Sequence, residues 1–286
     1  MNVALDKPMR RHNNPMTSAS RDIFDITNRV VVITGGLGQL GRAYTHELLA
    51  RGARVALLDM AEPGPDTAAS IAEQDRLSFH RADVTDRANL ETILAAIEAK
   101  WETPFGLINN AALDSPPGSE ANANPPFEEV SREAWDATME VNVTGVFHCC
   151  QVFGKAMRRA KRGSIVMIGS TYGMVSPDQR LYDYRRDQGE DFYKPVAYSA
   201  SKSALINLAR YLATHWAPHV RVNTLTLGGV FNHQDPEFLA GYEQRTPMGR
   251  MAQEDEYNGA IVFLMSDASA YMTGANLVMD GGWTAW

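Results

Sequence analysis

Short apolar runs alternate with longer segments of helical periodicity from Arg29 to the end of the chain. The short runs are continuous and rich in β-branched residues, as in Val30–Ile33, and do not alternate apolar with polar residues. Continuous apolar strands are typical of a parallel sheet that is covered by helices on both faces. The pattern predicts an α/β fold built on a doubly wound parallel sheet of about seven strands.

The predicted elements follow one another without a long linker or an internal repeat. Strands are predicted at Val30–Ile33, Arg54–Asp59, Leu77–Asp83, Phe105–Asn110, Ser164–Ser170, Val220–Leu225 and Leu277–Asp280. Helices are predicted at Leu40–Arg51, Asp86–Lys100, Ser131–His148, Tyr198–His215 and near Glu254–Ser266. We therefore expect a single domain over residues 23–286, preceded by a polar, flexible tail over residues 1–22.

Composition excludes several classes of protein. A formal charge of −7 argues against a nucleic-acid partner, which usually meets a basic face. No apolar run reaches the roughly 18–20 residues of a membrane span, and residues 1–21 lack the apolar stretch of a secretion signal. The two cysteines, Cys149 and Cys150, are adjacent, and neither they nor the histidines show metal-ligand spacing. We expect no metal, no membrane partner and a reducing, cytoplasmic setting.

A glycine-rich turn follows the first predicted strand. Gly35, Gly38 and Gly41 give the spacing G-x-x-G-x-x-G at the junction with a helix. Glycine lets backbone N–H groups approach a pyrophosphate, and the helix N-terminus then faces the negative charge. This context predicts a dinucleotide site in a Rossmann-type fold.

The second strand ends in Asp59, 18 residues after Gly41. A carboxylate at this place binds both ribose hydroxyls of NAD and repels the 2′-phosphate of NADP. Neither Gly36 nor Leu37 supplies a cation for that phosphate, and Arg42 is the one nearby residue that weakens the argument. The sequence predicts NAD as cofactor, with NADP as the weaker alternative.

Tyr198 and Lys202 stand four residues apart on a predicted helix, so their side chains share one face. A free tyrosine, with a pKa of about 10, is a poor base at neutral pH. A nearby ammonium and the positive nicotinamide ring favour the phenolate. Tyr198 is then a candidate for exchanging a proton with an alcohol or a ketone.

These motifs together resemble the short-chain dehydrogenase/reductase family from about Phe24 to Trp286. In order, Asn109-Asn110-Ala111-Ala112 resembles the N-N-A-G motif of the family, and Asn142 matches the asparagine that holds a proton-relay water. Ser170 matches the serine that hydrogen-bonds the reacting oxygen. The resemblance implies a catalytic tetrad of Asn142, Ser170, Tyr198 and Lys202.

The resemblance also implies a set of cofactor contacts, with some departures from the family pattern. Leu227-Gly228-Gly229 stands where the family usually has Pro-Gly, and the glycine spacing is nearer that of the family's sugar-nucleotide branch. The implied cofactor residues are Gly35, Gly38, Gln39, Leu40, Gly41, Asp59, Asp83, Val84, Asn110, Ala111, Tyr198, Lys202, Gly228, Val230 and Asn232.

The segment between Ser170 and Tyr198 is longer than in most of the family, so residues 176–195 are predicted to be an insertion. Two interpretations of this segment stay open, a solvated loop and a lid that covers the substrate. Arginine suits phosphate or carboxylate groups, and aromatic rings suit sugars. The candidate substrate residues are Arg180, Arg185, Arg186 and His233.

The last third, from Asn223 to Trp286, resembles oxidoreductases of bacterial surface-sugar and flagellin-modification (nonulosonic acid) pathways. The resemblance implies interconversion of a secondary alcohol and a ketone on a sugar-derived substrate, such as a sugar phosphate or nucleotide sugar. A 3-oxoacyl or general carbonyl reductase stays open as an alternative, as does a non-catalytic NAD-sensing protein. The resemblance further implies a homodimer or homotetramer.

Overall fold

Seven parallel strands form the centre of the protein, whose computed structural model describes residues 22–114 and 124–286. The strands are β1 (Val30–Thr34), β2 (Arg54–Asp59), β3 (Leu77–Arg81), β4 (Gly106–Asn109), β5 (Gly163–Ser170), β6 (Val220–Leu227) and β7 (Asn276–Met279). They lie in one sheet in the order β3-β2-β1-β4-β5-β6-β7. The predicted doubly wound α/β fold of about seven strands is confirmed.

Helices connect the strands and cover both faces of the sheet. They are α1 (Gln39–Ala50), α2 (Pro65–Ala72), α3 (Arg87–Lys100), α4 (Arg132–Met139), α5 (Val146–Cys149), α6 (Lys155–Arg159), α7 (Asp183–Asp187), α8 (Val196–Trp216), α9 (Pro236–Arg245) and α10 (Asn258–Met265). Two π-helical segments, Glu140–Gly145 and Cys150–Gly154, join α4, α5 and α6 into one continuous helical rod.

Successive residues of β1 enter two different cores. Val30 and Val32 pack on one face with residues of α3 and α8. Val31 and Ile33 pack on the other face with residues of α1 and α10. Because both faces of the sheet are buried, β1 has no solvent-exposed face, and all four residues of Val30–Ile33 are apolar.

The strand positions agree with the sequence prediction to within about two residues at each end. The exceptions concern helices. The helix predicted at Ser131–His148 continues to Arg159 through the two π-helical segments, which change the spacing of apolar residues along the rod from that of a regular α-helix. Helices α2 and α9 were not predicted, since each begins with a proline that resembles a loop signal in the sequence.

The remaining predictions about the chain have mixed outcomes. Cys149 and Cys150 are free and buried in the core, as expected. The predicted tail over residues 1–22 lies, except for Asp22, outside the described residues. No helix in the described part combines the length and the apolar character that crossing a membrane requires.

The strand order reverses direction between β1 and β4, which are neighbours although β2 and β3 come between them in the chain. The loops that leave these two strands turn to opposite faces and open a crevice at the carboxyl ends of the strands. Ligands of doubly wound sheets bind in such a crevice. The fold thus places the loops after β1, β4, β5 and β6 around one site.

The helical rod and α8 are in tight contact where Gly154 faces Trp216. A Cβ atom on Gly154 would lie 2.4 Å from Cη2 of the Trp216 ring, which is 7% exposed. We expect Gly154→Ala to lower the free energy of unfolding by about 1–3 kcal/mol, the usual cost of overpacking a core. Urea denaturation followed by circular dichroism measures the change.

Gly259→Ala is the matched control for that substitution. Gly259 also lies in a helix, α10, but a Cβ atom added there would have no neighbour within 4 Å outside its own helix backbone. Alanine there should leave stability unchanged or raise it by about 0.5–1 kcal/mol. Equal effects of the two substitutions would contradict the packing argument.

Candidate active site

One cavity, of about 770 Å³, lies at the carboxyl ends of the central strands. The glycine turn after β1 forms one end of it, and the N-terminal part of α8 forms a wall. The loops after β4, β5 and β6 and the insertion before α8 complete the enclosure. Many of the residues predicted to bind the cofactor, to catalyse the reaction or to bind the substrate therefore line this cavity.

The glycine turn is shaped for close backbone approach. Gly35 has a φ of +64°, and a Cβ on it would lie 2.9 Å from Cα of Ala111. A Cβ on Gly41 would lie 2.3 Å from the carbonyl oxygen of Gly35. Gly38 caps α1 without a side-chain hydrogen bond, so the N–H groups of the first turn face the cavity beside Gln39 and Leu40. This is the geometry of an anion site at a helix N-terminus.

Asp59 lies beside the glycine turn at the end of β2. Its carboxylate accepts hydrogen bonds from the backbone N–H of Leu37, at 2.9 Å, and of Ala61, at 3.0 Å. A carboxylate has further lone pairs, so these two bonds orient Asp59 without saturating it. Arg42 donates to the carbonyl of Leu37 at 2.7 Å, on the same turn.

The ends of β1 and β4 are joined by the Thr34 and Asn110 side chains. The Thr34 hydroxyl accepts from the backbone N–H of Asn110, at 3.0 Å, and of Ala111, at 3.1 Å. The Asn110 amide donates to the carbonyls of Thr34, at 3.1 Å, and Gly35, at 3.0 Å. These four bonds hold the glycine turn against the loop after β4.

Two predicted cofactor residues at the end of β3 do not line the cavity. The Asp83 carboxylate accepts from the N–H and the hydroxyl of Thr85, at 2.9 and 2.7 Å. Val84 is 8% exposed and belongs to the apolar core. The expected adenine contact of this pair stays a prediction. On the opposite side, Gly228, Val230, Asn232 and His233 all line the cavity.

Ser170, Tyr198 and Lys202 line one wall of the cavity. Lys202 is buried, and its ammonium donates to the carbonyl of Ile168 at 2.8 Å and lies 5.7 Å from the centre of the Tyr198 ring. The predicted i, i+4 spacing on a helix is thus realised in α8.

The pKa values of this group are set mainly by burial. The pKa of Tyr198 is raised to about 12, mainly by burial and also by the negative charge of Asp114, against a hydrogen bond with Ser170 that lowers it. Burial lowers the pKa of Lys202 to about 8, against an opposing effect of Asp114. In the free protein at neutral pH the pair therefore consists of a phenol and an ammonium.

Asn142 lies in the first π-helical segment and is 1% exposed. Its carboxamide oxygen accepts from the N–H of Leu113 at 2.7 Å, and its amide donates to the carbonyl of Leu113 at 2.9 Å and to the Ser201 hydroxyl at 3.0 Å. The side chain thus fixes the loop after β4 and does not line the cavity. The proton-relay role implied for Asn142 stays a prediction.

The insertion over residues 176–195 is an ordered part of the cavity wall. It contains a 3-10 turn, Gln179–Tyr182, and α7. Tyr182 packs on Phe238 of α9, with ring centres 5.4 Å apart, and belongs to a small core with Tyr242 and Trp283. The cavity-lining residues of the insertion are Tyr182, Tyr184, Arg185, Phe192 and Lys194.

The three arginines predicted for substrate occupy different environments. Arg185 lines the cavity, pairs with Glu190 at 2.5 Å and lies 3.8 Å from the centre of the Phe192 ring. Arg180 lies outside that cavity, where it is 74% exposed and pairs with Asp178 at 2.7 Å. Arg186 also lies outside it and donates to the carbonyls of Phe192 and Gln179. Of the three, only Arg185 is placed to meet a molecule in the cavity.

Sequence analysis missed an ion pair in the cavity, Asp114 with Lys194. Lys194 stands four residues before Tyr198, as Lys202 stands four after it, and its ammonium lies 4.9 Å from the centre of the Tyr198 ring. The symmetric spacing was a signal available in the sequence. Asp114 had none, because only the return of the loop after β4 brings it to Lys194. Within the described residues, no cluster of His, Cys, Asp or Glu is arranged to hold a metal.

Comparison with known proteins gives extensive matches. The family described as enoyl-(acyl carrier protein) reductase matches residues 38–284. An NAD-dependent glycerol dehydrogenase of Listeria innocua is 31% identical, over 91% of this chain and 96% of its own. A D-threitol dehydrogenase of Mycolicibacterium smegmatis is 32% identical, over 91% of this chain and 95% of its own.

Solved structures agree with these relatives. A short-chain dehydrogenase from Leptospira borgpetersenii with bound NAD+ superposes with a TM-score of 0.81 at 30% identity, covering 96% of this chain and all of that one (100%). A gluconate 5-dehydrogenase from Burkholderia cenocepacia, in complex with NADP and tartrate, gives a TM-score of 0.78 at 26% identity over 93% and 98% of the two chains. The chain belongs to the short-chain dehydrogenase/reductase family and is an NAD(P)-dependent oxidoreductase.

Proposed function

We propose that the protein interconverts a secondary alcohol and a ketone on a small polyhydroxylated substrate, with NAD as the cofactor. The observation that carries this proposal is the shared cavity, in which the glycine turn lies opposite Ser170, Tyr198 and Lys202. A dinucleotide at the turn would present its nicotinamide toward that wall. When bound, the nicotinamide accepts the hydride of the alcohol or returns it to the ketone.

Tyr198 is the proton-transfer residue in this proposal. In oxidation its phenolate takes the hydroxyl proton of the alcohol, and in reduction its phenol donates that proton to the ketone oxygen. Ser170 hydrogen-bonds Tyr198 and is placed to bond the same substrate oxygen. Since the pKa of Tyr198 is near 12 and that of Lys202 near 8 in the free protein, alcohol oxidation should become faster as the pH rises toward about 8, where the Lys202 ammonium still favours the phenolate.

Lys202 favours the phenolate electrostatically because its buried ammonium lies beside the Tyr198 ring. One of the three N–H donors of its ammonium is used in the hydrogen bond to the carbonyl of Ile168. The remaining donors are available for the nicotinamide ribose, which the family resemblance also implies. Lys202 would therefore serve both the acidity of Tyr198 and the binding of the cofactor.

The preference for NAD rests on Asp59. Two backbone N–H groups orient its carboxylate beside the glycine turn, where it would accept hydrogen bonds from both ribose hydroxyls. A 2′-phosphate in the same place would meet that negative charge. Arg42 is held by the carbonyl of Leu37 and is the cation nearest this place in the described turn.

The polar wall of the cavity supports a polyhydroxylated substrate. Charged and hydroxyl-bearing side chains there include Asp114, Arg185, Lys194 and Tyr184, which suit hydroxyl groups better than a fatty acyl chain. The glycerol and threitol dehydrogenases among the relatives support the same class. The sugar-phosphate expectation is weakened, because Arg180 and Arg186 lie outside the cavity and Arg185 is paired with Glu190.

A substrate screen tests the proposed function directly. NAD-linked turnover is measured with glycerol, threitol and galactitol, and in parallel with sugar phosphates, nucleotide sugars and 3-oxoacyl thioesters. Turnover confined to acyl thioesters with NADPH would favour the acyl reductase instead. The links to surface-sugar pathways, to a homodimer or homotetramer and to the cytoplasm stay predictions.

Tyr198→Phe should remove nearly all turnover, at least about a hundredfold, because general acid–base groups contribute roughly 10²–10⁴-fold. NAD affinity, measured by calorimetry, should stay near that of the wild type, since the ring and its packing are kept. Lys202→Met is the contrasting variant and should reduce both turnover and NAD affinity. Wild-type turnover in Tyr198→Phe would remove Tyr198 from the mechanism.

Asp59→Ser should improve the use of NADP relative to NAD. The substitution removes the negative charge that would oppose a 2′-phosphate and keeps a hydroxyl for the backbone contacts. Steady-state kinetics with both cofactors give the ratio of kcat/KM values for wild type and variant. A wild-type protein that already prefers NADP would show that Asp59 does not face the ribose.

Arg185→Ala should raise the substrate KM about tenfold, which corresponds to about 1.4 kcal/mol and lies near the lower range for a charge-assisted hydrogen bond. Arg180→Ala is the matched control, because it removes the same group from the same segment but outside the cavity. The control should keep a wild-type KM, and NAD affinity should be unchanged in both variants. A larger effect at Arg180 would show that the insertion meets the substrate with another face.

A further inference from the structure

The Asp114–Lys194 ion pair lies in the catalytic cavity, and the reaction described above assigns neither residue a particular contact with the substrate. Lys194 is 13% exposed, whereas the carboxylate of Asp114 is 59% exposed. The ammonium lies over the Tyr198 ring, 4.9 Å from its centre, so the pair sits beside the phenol that exchanges the proton. The proposed reaction puts the alcohol at Tyr198, so the pair lines the same cavity as the substrate.

Two amide side chains hold this pair in position. The Gln179 carboxamide accepts from the N–H of Lys194 at 2.9 Å and donates to its carbonyl at 3.2 Å. Asn142 makes the same two-way contact with Leu113, the residue before Asp114. These paired hydrogen bonds fix the backbone at Lys194 and at Leu113, next to Asp114. The wall thus fixes the backbone from which both charged side chains reach the cavity, and the ion pair itself holds the ammonium beside the Tyr198 ring.

Each member of the pair keeps hydrogen-bonding capacity for a ligand. An ammonium has three donors, and a carboxylate has about four acceptor sites. Because the pair uses a donor of Lys194 and an acceptor of Asp114, a donor and an acceptor remain side by side. A hydroxyl group satisfies both at once, since it accepts from the ammonium and donates to the carboxylate.

We propose that Asp114 and Lys194 form a specificity site for a hydroxyl on the carbon next to the reacting alcohol. This inference rests on the proposed function and narrows its substrate class to neutral vicinal diols and polyols. Tyr198 and Ser170 take the reacting oxygen, and the ion pair takes its neighbour. The two hydroxyls then fix which carbon faces the nicotinamide.

The charges around the cavity disfavour an anion at this place. Lys194 is neutralised by Asp114, and Arg185, the other cation of the insertion in the cavity, is paired with Glu190. Asp235 adds a further carboxylate to the lining, where it accepts from the Tyr184 hydroxyl at 2.6 Å. A phosphate or carboxylate beside Lys194 would meet the charge of Asp114, whereas a neutral hydroxyl meets no such repulsion.

The test compares two alcohols that differ by one hydroxyl, 2,3-butanediol and 2-butanol. Each is measured as a substrate with NAD or, where turnover is too slow, as a competitive inhibitor of the polyol that the screen identifies. The variants are Lys194→Met and Asp114→Asn, with Lys155→Met on the surface as the matched control. Because Asp114 also raises the pKa of Tyr198, which affects both alcohols alike, Lys194→Met and Asp114→Asn should each weaken kcat/KM, or the inhibition constant, roughly tenfold more for the diol than for 2-butanol.

The double variant adds a second readout. Because each member of the pair orients the other, the two substitutions together should cost the diol less than the product of the single effects. The control should match the wild type for both alcohols, and NAD affinity should be unchanged throughout.

The outcomes separate this inference from the proposed function. No NAD-linked turnover of any alcohol by the wild type would overturn the proposed function. Turnover with equal losses for the diol and the monoalcohol would overturn only the specificity site, because the pair would then act through Tyr198. A shifted pH profile of kcat/KM without discrimination between the alcohols would identify that second case. A preference of the wild type for 2-butanol would also overturn the specificity site.

Discussion

Four hydrogen bonds around Thr34 and Asn110 tie β1 to β4, and the site depends on this junction. Their geometry requires Gly35 to lie against Ala111, where a side chain on Gly35 would meet the backbone at 2.9 Å. With the junction closed, the glycine turn, the loop that carries Asp114 and the N-terminus of α1 face one crevice. The junction lies where the strand order reverses. Its hydrogen bonds therefore hold the loops after β1 and β4 together at the point where the crevice opens.

Burial explains the chemistry of the opposite wall. Tyr198 and Lys202 lie on the first two turns of α8, where burial raises the pKa of the phenol and lowers that of the ammonium. The shifts bring the pKa of Tyr198 to about 12 and that of Lys202 to about 8 in the free protein. Proton abstraction by a Tyr198 phenolate beside a Lys202 ammonium needs the reverse order, with the lower pKa on Tyr198. A positive charge brought into the cavity opposes the shift of the phenol. Binding of the oxidised cofactor would therefore prepare Tyr198 for its role.

The insertion adds a wall to the cavity beside the loops that follow the strands. Its apolar side chains join α9 and Trp283 in a small core, while Arg185 and Lys194 turn to the cavity. Both of these cations are paired with carboxylates. The wall is therefore rich in hydrogen-bonding groups, and both cations of the insertion there are balanced by carboxylates, which supports the proposal of a polyhydroxylated substrate over a phosphate.

The sequence by itself determined the sheet, the glycine turn, Asp59 and the Tyr198–Lys202 spacing, because each is encoded by neighbours along the chain. It predicted arginines in the insertion but not which of them faces the cavity, since α7 turns Arg185 inward while the preceding 3-10 turn leaves Arg180 in solvent. It could not reveal Asp114 beside Lys194, 80 positions away. Only tertiary structure decides such a pair, because two loops from different strands must return to the same end of the sheet before the charges meet.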